Sequence, residues 1–214
     1  MPESTMTPDL TDNATTSIEP RGPTIARREL LQRGLAAVER GAGLVICGGI
    51  GVGKTHLAHQ VARSLPTDDW ELVALAATAA RRDVALSALE PLLGRLGWRD
   101  EQRPYASAAS ALERLVSASD KRMIVQVEDA HLLDEASADV IAALCRLGRI
   151  SLLLTLYDDV SAPASIIGLW RDQVAERIDL GPFTVAEVEI YLSEALGGSV
   201  TRDMVNTIWT STAG

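Results

Sequence analysis

Leu44-Val45-Ile46-Cys47, followed by Gly48-Gly49-Ile50-Gly51-Val52-Gly53-Lys54-Thr55, is the stretch that decides the fold. The second part satisfies G-x-x-x-x-G-K-[ST] in full. Its glycines let the backbone curl so that successive N–H groups point inward at phosphate oxygens. A helix expected from Thr55 to Ser64 adds the partial positive charge of its first turn. Gly48, Gly49, Ile50, Gly51, Val52, Gly53, Lys54 and Thr55 are thus the expected nucleotide-phosphate cradle, with His56 at its flank. Lys54 is placed to reach the β- and γ-phosphates, and the Thr55 hydroxyl to ligate Mg2+. Only Lys54 and Lys121 are lysines among 20 basic residues, so a lysine here is informative. The four-residue apolar run ahead of the loop reads as a buried strand, which is the context the motif requires.

Working outward, residues 1–23 are rich in Thr, Ser, Pro and acids without apolar periodicity, and are expected to be a disordered acidic tail. A helix is predicted over Arg27–Arg40, stopped by the glycines at 41 and 43. Strands are predicted at Trp70–Ala76, Met123–Val127 and Ser151–Leu156, with a shorter one at Arg177–Leu180. Helices are predicted over Arg82–Leu96 (interrupted by Pro91), Ala106–Ala118 and Asp134–Leu147. Thr184-Val185-Ala186-Glu187 has the spacing of a capping box and opens a helix to Leu196, followed by another from Thr201 to about Ser211. Short apolar strands alternating with helices imply an α/β fold: a parallel sheet of about five strands with helices on both faces.

Met123-Ile124-Val125-Gln126-Val127 ends in Glu128-Asp129. Two adjacent acids at a strand end suit a site where one carboxylate holds Mg2+ and its neighbour orients the attacking water. Position favours Glu128 on the metal side and Asp129 on the water side, with the reverse order left open. His131 has no metal-ligating partner at suitable spacing and reads as structural or part of a water network. His56 and His59 read as helix-surface residues, and Asp134 as a helix cap.

The chain of 214 residues carries a formal charge of −9, which argues against a nucleic-acid surface spread over it. Two cysteines, Cys47 and Cys145, both lie in apolar runs, so neither a disulfide framework nor a zinc site is supported. No apolar stretch reaches membrane-span length and no secretory leader opens the chain, so a cytoplasmic location away from membranes is expected.

Val127-Glu128-Asp129-Ala130-His131-Leu132-Leu133-Asp134 resembles the third-strand signature of the signal-transduction ATPases with numerous domains, an AAA+-like P-loop branch found at the N-termini of large LuxR-type bacterial transcription regulators. Ala26-Arg27-Arg28-Glu29-Leu30 resembles the opening motif of that family, which implies that Arg27 lies by the adenine. Leu152-Leu153-Leu154-Thr155-Leu156-Tyr157 resembles its sensor strand, implying Thr155 as a γ-phosphate sensor; Tyr157 stands where the family often has Arg. Leu180-Gly181-Pro182-Phe183-Thr184 resembles the passage into a helical lid. The implied division is an ATPase core over 24–183 and a truncated helical lid over 184–214. ATP and Mg2+ are the implied cofactors, with no guanine-reading N-K-x-D present.

The resemblance implies a slowly hydrolysing ATPase switch whose catalytic set is Lys54, Glu128, Asp129 and Thr155. Its partners would be ATP or ADP and the downstream domains, or a protein partner, of a larger regulator, with nucleotide-dependent self-association a further expectation. DNA binding is not assigned to this segment. Two other readings stand beside it: a module that binds nucleotide without turnover, and a loader or transposition-type AAA+ protein. The second calls for an arginine finger, for which Arg171 and Arg177 are the candidates.

Overall fold

The computed structural model describes residues 27–95, 105–158 and 161–213. Strand β1 (Gly43–Gly48) contains the apolar run and is buried along its whole length. Around it lie β2 (Trp70–Ala76), β3 (Arg122–Glu128), β4 (Ile150–Leu156) and β5 (Ala175–Leu180), in the order β2-β3-β4-β1-β5. Every pairing is parallel. The fold class is the expected one, a P-loop NTPase-like fold with a five-stranded parallel sheet flanked by helices.

Alternation along each strand sorts its side chains between two cores. Leu44 and Ile46 of β1 join Ile124, Leu153 and Ile178 on one face. There they meet Leu31 and Val38 of α1 (Arg28–Glu39) and Leu57 and Val61 of α2 (Lys54–Ser64). Val45 and Cys47 point the other way, with Val125, Val127, Leu152 and Leu154. Their neighbours are Leu92 of α3 (Glu90–Arg95), Leu112 of α4 (Tyr105–Ser117), Ile141 of α5 (Glu135–Arg146) and Ile166 of α6 (Ala164–Arg171). The central strands, covered on both faces, lack the polar alternation seen on β2 and β5 at the edges.

Three local readings are corrected. The helix expected over Arg82–Leu96 is helical only at Glu90–Arg95 among the described residues. A short 3-10 turn at Ala79–Arg81 precedes it, and residues 82–89 form turns. The cause lies far off in sequence. The Asp134 carboxylate accepts hydrogen bonds from the Leu86 and Ala88 N–H groups at 2.8 and 3.2 Å and from the Ser87 hydroxyl at 3.2 Å. Leu86 takes φ +62°, which no helix continues. Pro91 does not interrupt a helix, because it sits in the first turn, where its missing N–H costs nothing. Helix α6 was not read from the sequence; it begins after Pro163 and buries Ile166 and Leu169. β5 starts two residues earlier than Arg177.

The last two helices are α7 (Val185–Leu196) and α8 (Arg202–Thr212). The Thr184 capping box is formed in both directions, and Gly197 ends α7 in the left-handed conformation. The Trp209 indole N–H of α8 donates to the Phe183 carbonyl at 2.8 Å, tying α8 back to the segment that leaves β5. Among the described residues no helix is long and apolar enough to cross a membrane. The expected tail over 1–23, Ala26, Leu96 and Gly214 lie outside the described residues.

Candidate functional site

Because β4 lies between β1 and β3, the ends of three adjacent strands meet at one edge of the sheet. β1 delivers the phosphate loop, β3 the acidic pair, and β4 Thr155 and Tyr157. In open α/β sheets, the crevice beyond the C-terminal strand ends is where ligands bind.

The loop curls where the sequence lets it. Gly53 has φ +93° at the start of α2, a conformation that side chains with a Cβ rarely adopt. Gly48 is required for room: a Cβ there would lie 2.3 Å from the Leu180 carbonyl oxygen of β5. Ile50 stands at the rim, 86% exposed. Lys54 is only 7% exposed and its Nζ donates to the carbonyls of Gly48 and Gly49 at 3.0 and 2.6 Å. The same ammonium lies 4.1 Å from the centre of the Tyr157 ring, a cation–π contact. Burial lowers the Lys54 pKa from the ordinary lysine value, and the negative charges of Asp129 and Asp158 oppose that shift.

Period-two alternation puts Gln126 and Glu128 on the same sheet face as Ile124, toward α2. Glu128 Oε2 accepts a hydrogen bond from the Thr55 hydroxyl at 3.3 Å. Its other oxygen, Oε1, lies 3.1 Å from His59 Nε2 and 3.5 Å from Gln126 Nε2. Thr55 and Glu128 therefore bring a hydroxyl and a carboxylate together, the hard oxygen donors that Mg2+ takes. Asp129 leaves the strand in the left-handed conformation at φ +51°, which Asp tolerates better than most residues. Its backbone N–H donates to the Thr155 hydroxyl at 3.0 Å. Thr155 is 1% exposed, so its oxygen serves Asp129 from within the sheet.

His131 is buried, stacks edge-on against Tyr157 at 5.1 Å, and leaves Nδ1 with no hydrogen-bond partner among the described residues. Burial lowers its pKa, with Asp129 acting the other way and Arg82 and Lys54 adding to the fall, which favours the neutral imidazole. Lys54, Tyr157 and His131 thus form one contiguous stack beneath the loop.

Arg27 sits at the far side of the loop. Its guanidinium donates to the Val52 carbonyl at 2.6 Å and the Gly181 carbonyl at 2.7 Å, and lies 4.0 Å from the Phe183 ring centre. Glu187, whose Oε2 completes the capping box of α7, has Oε1 3.7 Å from Arg27 Nε. His56 is half-buried along α2 and engages Gln60 at 2.9 Å. Arg177 is held by Asp179 at 2.7 Å on the edge strand, and Arg171 lies exposed in the last turn of α6.

A family model for the AAA ATPase domain matches residues 25–157, which takes in the loop, the acidic pair and the end of β4. The chain belongs to the AAA ATPase domain family. Among solved structures, this ATPase domain is similar to Cdc6p from Pyrobaculum aerophilum (TM-score 0.58, 16% identity, 90% of this chain and 55% of that one). It is also similar to the ORC1 protein of Aeropyrum pernix solved in complex with DNA (0.57, 15%, 83% and 51%). A third is the ORC2 protein of the same organism in ADPNP–ADP complexes (0.53, 17%, 83% and 53%). At such identities the likeness is one of fold, and the ATPase domain spans about half the length of these chains. No curated protein matches the sequence.

Several contacts at the site of the ATPase domain were not read from the sequence. His59 stands one helical turn beyond Thr55, and i, i+4 spacing on α2 is the signal that places both on the face toward Glu128. The contacts of Arg27 with Val52, Gly181 and Glu187 join residues up to 160 apart in the chain (187 minus 27), so no local pattern announces them.

Proposed function

We propose that this ATPase domain binds ATP and hydrolyses it slowly, as the nucleotide-dependent switch of a LuxR-type signal-transduction regulator. The observation that carries the nucleotide reading is the meeting of Lys54, Thr55, Glu128 and Asp129 at one sheet edge, with the Thr55 hydroxyl 3.3 Å from the Glu128 carboxylate. The regulator context is supported by the resemblance of Val127–Asp134 alone. The loop backbone from Gly48 to Thr55 would hold the phosphates, and Lys54 would exchange its loop carbonyls for phosphate oxygens. Thr55 and Glu128 would hold Mg2+, which when bound neutralises charge on the phosphates. Asp129, anchored through its N–H to Thr155, would orient water. Thr155 acts through Asp129 in this reading, as a positioning residue. Arg27 and the α7–α8 pair would form the wall of the nucleotide cleft opposite the phosphate loop. The ORC2 structure with ADPNP and ADP is in keeping with that role, whereas the −9 charge argues against extending the DNA of the ORC1 complex to this chain.

The test is nucleotide binding by calorimetry together with single-turnover hydrolysis, in wild type, Lys54→Ala and Asp129→Asn. Asp129→Asn is the cleaner probe because Asn tolerates the positive φ at that position while removing the charge. Wild type should bind ATP and ADP with Mg2+ and release phosphate slowly, Lys54→Ala should lose binding, and Asp129→Asn should bind without turnover. Wild type that binds neither nucleotide at millimolar concentration overturns the proposal. Tight binding without phosphate release replaces the switch that hydrolyses with a module that only binds.

A further inference from the structure

Glu128 is gripped from both sides by one helix. Thr55 and His59, four residues apart on α2, face it together: the hydroxyl 3.3 Å from Oε2, the imidazole Nε2 3.1 Å from Oε1. Gln126 Nε2 also lies near Oε1, at 3.5 Å. The site is open, with the His59 and Glu128 side chains 36% and 45% exposed, so a hydrated cation can reach both.

The chemistry of this donor set differs from that of a hydroxyl and carboxylate alone. Mg2+ takes oxygen donors and gives up its waters reluctantly, whereas imidazole suits first-row transition ions, and affinity rises along that series. We infer that His59 is a third protein donor to the nucleotide-bound cation, so that this ATPase domain takes Mn2+ or Co2+ with its nucleotide in preference to Mg2+. The inference rests on the proposed nucleotide site and assigns that site its cation class. His59 Nε2 exchanges its contact with Glu128 for the ion, while Thr55 and Glu128 supply oxygens.

The experiment uses the whole chain labelled with 15N-histidine and unlabelled ADP, with Mn2+ as the spin probe in pulsed electron paramagnetic resonance. Calorimetry of ADP binding with Mn2+ and with Mg2+ runs in parallel. Wild type should show a 15N coupling to the bound Mn2+ that disappears in His59→Ala. The chain has three histidines, so the substitution identifies the source of the coupling. The ratio of Mn2+- to Mg2+-supported ADP affinity should fall at least about tenfold in His59→Ala, since loss of even an outer-shell partner of a metal ligand costs about that much. His59→Gln separates ligation from propping: it can still hydrogen-bond Glu128 but offers no imidazole, and should show the same fall. Recovery of the ratio by Gln, or Mn2+–ADP bound to wild type without 15N coupling, overturns this inference and leaves the nucleotide site standing. Failure of ADP to bind with either cation overturns the nucleotide site and the inference with it.

Discussion

At Asp134 a single side chain does two jobs. Its Oδ1 caps α5 through the Ser137 N–H at 2.8 Å, while both oxygens collect donors from residues 86–88. Burial alone would raise its pKa, but the hydrogen bonds from Ser137, Ala88 and Leu86 outweigh it and hold the carboxyl below its ordinary value. A depressed carboxyl pKa means that the unfolded chain binds the proton more readily than the native one. The stabilisation is therefore full above the unfolded value, roughly pH 4, and is lost as pH falls through the lower native pKa. Asp134→Asn should cost about 2–3 kcal/mol at neutral pH, from donors left facing an amide. It should also flatten the acid limb of stability, which denaturant midpoints measured between pH 3 and pH 7 will read. Thr155 supports a prediction of the same scale. Thr155→Val leaves the Asp129 N–H without its acceptor and should lower stability by ~1–3 kcal/mol and suppress turnover, whereas Thr155→Ser should keep both. Equal behaviour of Val and Ser in thermal unfolding and single-turnover assays would remove the Thr155 hydroxyl from the account.

Among the elements, α7 and α8 each bury a single residue of their own, Val188 and Val205. The start of α7 is set by the Thr184–Glu187 box. Arg27 reaches it from the other end of the chain, so polar contacts from Arg27 and Trp209 take part in the attachment of α7 and α8. Arg27→Ala should cost about 2–3 kcal/mol through the lost charged hydrogen bonds to Val52 and Gly181. Amide exchange should then speed up in α7 and α8 while the strands stay protected. Unchanged exchange in α7 would mean that the Trp209–Phe183 bond suffices. The strands and most helices were legible because burial on both faces writes uninterrupted apolar runs, and caps such as Thr184 write local spacing. The stretch at 82–89 was not legible, because its conformation is dictated by Asp134, 48 residues beyond Leu86. Helix α6 is hard to see in the sequence because Ile166-Ile167 and Leu169 give only eight residues of period after a proline.

For the whole molecule, the loop motif disclosed the nucleotide-binding fold, but not the strand order that assembles the site. Nothing in the sequence says that β4 lies between β1 and β3. That placement brings Thr155 to Asp129 and Tyr157 under Lys54, and separates β1 from β3 by two strand spacings, ~9.6 Å. Ligand binding to such an assembled edge should stabilise the entire fold. ADP with a divalent cation at a hundred times its Kd adds about 2.7 kcal/mol, which raises Tm by roughly 5–10 °C for a chain of this size. Thermal unfolding with and without ADP should show that rise in wild type and none in Lys54→Ala; a rise that survives Lys54→Ala would place the nucleotide elsewhere.

The guanidinium of Arg27 holds a carbonyl of the phosphate loop with one nitrogen and a carbonyl of the segment leading to α7 with another. Any ligand that reshapes the loop at Val52 therefore acts on the attachment of α7, and thermodynamic linkage makes the traffic run both ways. A protein that binds α7 only when it is released must change nucleotide affinity by the same factor by which nucleotide changes its own. Measuring either affinity in the presence of the other would fix both.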